Sequence, residues 1–306
     1  MVAVLGGSGF LGRYIVQEFA RSGALIRVGC RHPEEALFLK TQGEVGQIQL
    51  QACNIRDDES VKSFVENADI VINLVGIMYQ TGQQTFTKVH AAGAERVARL
   101  AKQAGVRQLI HISALGVASD SDSYYSQTKG LAEQLVRQQF PEAVMIKPSL
   151  VFGPEDKFFN RFGEMAMYSP ILPIFGGGNT RYQPVYVKDV AEAVFQVAEQ
   201  EIKGQAFELG GPEVFTYKEM MQLILAETGR KCLMVPTPVF LGKMVGVFAQ
   251  MLPKPPLTVD QMKLLSKDNI VQDGAKKLGD LGVAPHSLRE ILPTYIHRFK
   301  SQKVII

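Results

Sequence analysis

Tyr125 and Lys129 stand four residues apart in the stretch SYYSQTKGLAE. On a helix that spacing puts both side chains on one face. An ammonium beside a phenol stabilises the tyrosinate, and such a pair can exchange a proton with a carbonyl or a hydroxyl. Far upstream, Gly6, Gly9 and Gly12 form GxxGxxG within VAVLGGSGFLGRYIVQEF. Residues without a Cβ permit a tight turn there, and a bare backbone lets a pyrophosphate approach a helix N-terminus, whose free N–H groups and dipole favour anions. Alone, YxxxK describes an exposed helix pair and the glycines a plain turn. An apolar strand before the glycines and a helix after them supply the context of a dinucleotide cradle.

The residue that would meet the adenine ribose is the next question. A site for NAD usually places Asp or Glu at the end of the second strand. Here that place reads GCRHP, with Arg31 where the acid would stand and Arg13 just beyond the last glycine. Two guanidiniums suit a 2′-phosphate, which favours NADP(H) over NAD(H). The alternative leaves Arg31 at the surface and gives the ribose to Glu34 or Glu35.

The elements that must position these groups follow from hydrophobic rhythm. The sequence predicts strands at Val2–Leu5, ALIRVGC, QIQLQAC, DIVINLVG, QLIHISA and AVMIKPS. Helices are predicted at Leu11–Ser22, near Glu59–Glu66, over Phe86–Gln103 and across YYSQTKGLAEQLVRQQF. This alternation means a doubly wound parallel α/β sheet covered on both faces. After Pro148 the rhythm breaks. The expectation is a dinucleotide-binding domain over 1–148 with a strand–helix segment near 183–200 returning to it. A smaller mixed α/β lobe would take 149–182 and 201–306. Thr216 and Glu219 are spaced as a capping box, and TVDQMKLLSKDN reads as a further helix. Gly176–Gly178 reads as a turn and Asp189 as a cap. His90 and His111 read as structural, and Phe158 and Phe159 as core.

Taken in order, GGSGFLG, NLVG and YSQTK resemble the short-chain dehydrogenase/reductase superfamily in its extended branch, over most of the chain. The resemblance implies a Rossmann-type fold, with Tyr125 as acid/base and Lys129 lowering its pKa and holding the nicotinamide ribose. It implies cofactor contacts from Gly6, Gly9, Phe10, Leu11, Gly12, Arg13, Arg31, Asn73, Leu74, Val75, Gly76, Tyr125, Lys129 and Pro148. Catalytic members carry Ser or Thr at the end of the fifth strand. HISALGV puts Ala114 there and Ser113 one residue earlier, so Ser113 is a doubtful substitute. Losing that hydroxyl removes a transition-state hydrogen bond worth a few kcal/mol.

KPSLVFGPEDKFFNRF, GGGNTRYQPVYVKDVAEAV and LTVDQMKLLSKDNIV resemble a narrower group, the NADPH-binding accessory subunits of respiratory complex I and their bacterial relatives. That resemblance implies a complex I-associated accessory or assembly protein with partners among complex I subunits or at the membrane surface. It places the chain in the cytoplasm or on the matrix side, peripheral on the inner membrane. The alternative is an NADP-dependent reductase, dehydrogenase or sugar-nucleotide epimerase that uses Tyr125 and Lys129 on a small-molecule substrate.

Composition agrees with a globular protein: 46% of residues are hydrophobic and 21% charged. Cys30, Cys53 and Cys232 show no CxxC or Cys/His spacing, so neither a disulfide framework nor a metal site is expected. Residues 231–306 hold 11 Lys/Arg against 5 Asp/Glu, a basic quarter suited to an acidic partner or an anionic surface. No basic cluster is interleaved with aromatics, which argues against a nucleic-acid partner. No leader precedes the first strand, so a bacterial protein or a trimmed mature chain is expected. The run Val239–Leu252, with Phe240 and Phe248, reads as a helix apolar on nearly every side, packed in the core, on a partner or at a membrane face.

Overall fold

The computed structural model describes residues 1–238, 240, 242 and 258–301. The chain forms two compact units. The first comprises Met1–Pro148, Val187–Leu209 and Gln272–Ala284; the second comprises Ser149–Tyr186, Gly210–Val271 and Pro285–Ile306.

Six strands open the first unit: β1 (Val2–Leu5), β2 (Ile26–Cys30), β3 (Ile48–Ala52), β4 (Ile70–Asn73), β5 (Gln108–Ile112) and β6 (Val144–Pro148). They lie in the order β3-β2-β1-β4-β5-β6, with Ala206–Leu209 outside β6 as the seventh strand. Every pairing is parallel. The returning segment is longer than the sequence suggests, for a physical reason. Phe207 registers with Ile146, and the Glu208 N–H donates to the Lys276 carbonyl at 2.8 Å. The strand and residues 272–284 are thereby tied to the sheet.

Side chains alternate across the strands and two sets of helices take the two faces. On one face lies α1 (Phe10–Arg21), which buries Ile15, Val16 and Phe19. Phe19 meets Phe195 of the helix Val187–Glu199 edge-on, ring centroids 5.3 Å apart. On the other face lie α2 (Asp58–Val65), α3 (Ala92–Gln103) and α4 (Tyr124–Gln139). There Val61, Phe64, Val97, Ala98, Ala132 and Val136 pack with Leu5, Val71, Leu109 and Met145. A fully buried side chain such as Phe64 contributes about 1.5–3 kcal/mol. The sequence predicts one helix over Phe86–Gln103, but its first turn, Thr87–Ala91, is a π-helix: the Ala92 N–H donates to the Thr87 carbonyl five residues back.

The second unit is built on short strand pairs. Val151–Phe152 pairs with Val185–Tyr186, Arg181–Tyr182 with Phe215–Thr216, and Ile171–Phe175 with Leu233–Thr237. The helix Tyr217–Thr228 starts on the predicted capping box of Thr216 and Glu219. Phe158, Phe162 and Tyr217 form an aromatic cluster, with centroids 5.1 Å apart for Phe158–Phe162 and 5.9 Å for Phe162–Tyr217. TVDQMKLLSKDN is helical only over Val259–Leu264. The helix expected at Val239–Leu252 lies outside the described residues, apart from exposed Phe240 and buried Gly242. Among the described residues no helix is long and apolar enough to cross a membrane.

Candidate dinucleotide site

In an open parallel sheet, ligands bind beyond the carboxyl ends of the strands, where the strand order reverses. Here that point lies between β1 and β4. The glycine loop leaves β1 with Gly6 at φ +81°, a left-handed conformation that L side chains rarely adopt. Gly9 is exposed and serves as the N-cap of α1. No side chain caps that helix and no acid stands in its first turn, so its N–H groups and positive dipole end suit an anion. A methyl at Gly12 would lie 2.6 Å from the Gly6 carbonyl oxygen and 2.6 Å from Gly7 Cα, so α1 presses directly on the loop. Phe10 and Leu11 are half-buried in the first turn. These residues fit a bound pyrophosphate.

Arg31 follows β2 and is exposed. The Arg13 guanidinium lies 4.9 Å above the Phe38 ring, in the 3-10 segment Pro33–Gln42, which sequence periodicity did not reveal. Glu34 stands 3.3 Å from His32 Nδ1.

Asn73 ends β4 in full burial, and its carboxamide is used twice. The oxygen accepts the Val75 N–H at 3.1 Å, while the nitrogen donates to His111 Nδ1 at 3.3 Å. Leu74 is held by its N–H on the Leu5 carbonyl at 3.0 Å. Gly76 is exposed, and a side chain added there would sit 3.7 Å from Lys129 Nζ and 3.8 Å from His90 Nε2. Pro148 closes β6 and its carbonyl accepts the Leu115 N–H at 2.9 Å.

Helix α4 begins on Ser123, whose hydroxyl accepts the Ser126 N–H. Tyr125 is half-buried and Lys129 buried on this helix. Lys129 Nζ donates to the Ile112 carbonyl at 2.8 Å. Burial pushes the Lys129 ammonium down to about 8, against the opposing pull of the Glu133 carboxylate. The unfolded chain, with an ordinary lysine near 10.4, therefore binds more protons between pH 8 and 10.4, and stability should rise with pH across that window. In the absence of dinucleotide, wild-type Tm is expected to climb from pH 8 to 10 while that of Lys129→Met stays level. Parallel curves for the two proteins in a thermal scan series would refute the assignment.

His90, which the sequence suggests is structural, makes its bonds within the fold and also stands beside the Tyr–Lys pair. Its ring meets Tyr125 edge-on at 5.2 Å and stacks on Phe86 at 5.2 Å. The Ile77 N–H donates to His90 Nε2 at 3.0 Å, which places the ring proton on Nδ1, 3.1 Å from the Thr128 hydroxyl oxygen. Thr128 in turn donates to the Tyr124 carbonyl at 2.9 Å. Burial first, and the Lys129 charge second, drive His90 down to about 3, so the ring is neutral. The faint signal for it in the sequence is a histidine set between Val89 and the Ala91–Ala92 pair in FTKVHAAG.

Ser113 and Ala114 follow β5. The buried Ser113 hydroxyl donates to Glu133 Oε1 at 2.5 Å, and Glu133 Oε2 pairs with Lys147 Nζ at 3.2 Å. Ala114 carries only a methyl. The structure thus brings Gly76, His90, Tyr125 and Lys129 together and engages the Ser113 hydroxyl with α4.

The profile of the NAD dependent epimerase/dehydratase family matches residues 2–210. The chain belongs to that family. Among the curated proteins similar to the chain is the Arabidopsis thaliana protein named NADH dehydrogenase [ubiquinone] 1 alpha subcomplex subunit 9, mitochondrial. It is 34% identical over 302 residues, covering 94% of this chain and 75% of the relative. The Neurospora crassa NADH-ubiquinone oxidoreductase 40 kDa subunit, mitochondrial, is 30% identical, covering 97% of this chain and 79% of its own length. A solved structure with the same fold is the Thermus thermophilus UDP-glucose 4-epimerase in complex with NAD, with TM-score 0.69, 18% identity, and coverage of 97% of this chain and 98% of that one.

Proposed function

We propose that this chain holds NADP(H), in preference to NAD(H), as an accessory subunit of a complex I-type NADH:ubiquinone oxidoreductase, peripheral to the membrane that carries it. The observation that carries the reading is the Ser113 hydroxyl committed to Glu133, with Ala114 in the place of a catalytic hydroxyl. A substrate oxygen at this site gains no hydrogen bond from Ala114, so the hydride step lacks a preorganised donor. The relatives support the partner, since one is named as a subunit of NADH dehydrogenase [ubiquinone] and the other as a subunit of NADH-ubiquinone oxidoreductase. The second reading, a reductase or epimerase using Tyr125 and Lys129, draws on the intact helical pair and on the epimerase fold.

The deciding experiment is NADPH oxidation over a panel of carbonyl, sterol and sugar-nucleotide substrates, run beside affinity purification of the tagged chain from detergent-solubilised membranes. NADPH binding without turnover, with NADH:ubiquinone oxidoreductase subunits recovered, is the expected result. Robust turnover that vanishes in Tyr125→Phe would overturn the reading.

The cofactor preference has its own test. Arg31, with Arg13 at the start of α1, suits a 2′-phosphate. Calorimetric titration should find NADPH at least tenfold tighter than NADH, about 1.4 kcal/mol. Arg31→Ala should remove most of the difference, and equal wild-type affinities would end the NADP assignment.

A further inference from the structure

Ile112 and Ser113 are consecutive residues at the exit of β5, and together they grip two successive turns of α4. The Ile112 carbonyl accepts from Lys129 Nζ at 2.8 Å, and the Ser113 hydroxyl donates to Glu133 Oε1 at 2.5 Å. Lys147 on β6 closes the arrangement by its 3.2 Å ion pair to Glu133 Oε2. The Glu133 and Lys147 side chains are only 16% and 19% exposed, so the pair acts where solvent screening is weak. Glu133 lies one helical turn beyond Lys129 and two beyond Tyr125, on the same face.

We propose that Glu133 is a positioning residue for the dinucleotide site: through Ser113 and Lys147 it fixes the part of α4 that presents Lys129, and its carboxylate is the counter-ion of that ammonium. The other titratable groups facing Lys129 are His90 from the π turn, His111 from β5 and Tyr125 from α4. Both histidines are held neutral by burial, so neither competes as a charge. Glu133 is the carboxylate that acts on Lys129, and Lys147 is the cation that shares it. Ser113 thereby has a role that needs no contact with a substrate: it orients the carboxylate that keeps the lysine charged.

The inference rests on the proposed dinucleotide site for its consequence, but its test is read on the protein alone. Unfolding stability is measured from pH 7 to 10.5 for the full chain and for Lys129→Met, and the difference traces the titration of Lys129. The cycle is repeated in a Glu133→Gln background, which keeps an oxygen to accept from Ser113 and removes the charge. The expected result is a Lys129 midpoint lower by about one pH unit, a tenfold fall in proton affinity. A uniform loss of stability with an unmoved midpoint is what a merely structural Glu133 would give, and it overturns the proposal. Should Glu133→Gln not fold, Lys147→Met is read in its place. Removing the cation that shares Glu133 should move the Lys129 midpoint up, and an unmoved or lowered midpoint overturns the proposal. NADPH affinity, measured separately at pH 7 on the same proteins, distinguishes the two ideas. A shifted midpoint in a protein that binds no dinucleotide sinks the cofactor reading and leaves the role of Glu133 standing.

Discussion

Gly12→Val is expected to abolish dinucleotide binding and to lower Tm by several degrees. Even the first carbon of the new side chain meets the Gly6 carbonyl oxygen at 2.6 Å, Gly7 Cα at 2.6 Å and the Gly7 carbonyl oxygen at 2.7 Å. All three are backbone atoms, so no rotamer change relieves the overlap. Either α1 moves away from β1 or the loop that leaves β1 is rebuilt. Overpacking of this kind costs about 1–3 kcal/mol or more, and each kcal/mol shifts Tm by roughly 2–4 °C at this size. The damage to binding should exceed the damage to folding, because moving either the loop or α1 displaces the helix N-terminal N–H groups proposed to receive the pyrophosphate. Gly9→Ala is the control. Gly9 is exposed and its added carbon meets only the Gly6 oxygen, at 3.2 Å. That variant should keep its Tm to within a few degrees while losing affinity, since the methyl stands on the open side of the helix N-terminus. Differential scanning calorimetry and NADPH titration of the two variants check both halves. A Gly12→Val protein that binds NADPH like the wild type would remove the glycine loop from the site.

The second large effect is acid lability. His90 is driven down to about 3 and His111 well below its ordinary value, both chiefly by burial. An unfolded histidine titrates near 6.5. Between pH 6.5 and about 3 the unfolded chain therefore binds more protons than the native one, and stability falls as pH is lowered through that window. At full slope each histidine contributes about 1.4 kcal/mol per pH unit, so at pH 4 His90 alone accounts for roughly 3 kcal/mol. Urea unfolding between pH 4 and 7.5 measures it. His90→Gln can accept from the Ile77 N–H and donate to the Thr128 hydroxyl oxygen without titrating. It should therefore flatten the acid limb by about one proton, and an unchanged limb would show that His90 is not buried as neutral imidazole.

What the sequence disclosed and what it withheld divide along a physical line. Short apolar strands, the glycines that must follow β1, the Thr216–Glu219 cap and the Tyr125–Lys129 spacing are local patterns, and each is found where periodicity places it. The environment of His90 is not local. Its partners Ile77 and Thr128 lie 13 and 38 residues away and meet only when the ends of β4 and α4 come together. The π turn at Thr87–Ala91 leaves no mark in a hydrophobic pattern, since a segment of five residues is too short for its period to be told from that of the helix it joins. Glu133 was hidden for a similar reason. An acid on a polar helix face looks solvated until β5 and β6 deliver Ser113 and Lys147 to it.

The first unit is assembled from three separated stretches of chain, two of which supply the strands of its sheet, and this bears on the order of events at the ribosome. After Pro148 has been made, β6 has Ala206–Leu209 still to come as its outer neighbour. At about 5–20 residues per second, the nascent β6 edge stays open for several seconds. An open parallel edge of Val144, Met145 and Ile146 is a template for wrong pairing. Nascent chains halted between residues 150 and 205 should therefore need holding by a chaperone, and those halted beyond residue 284 should not.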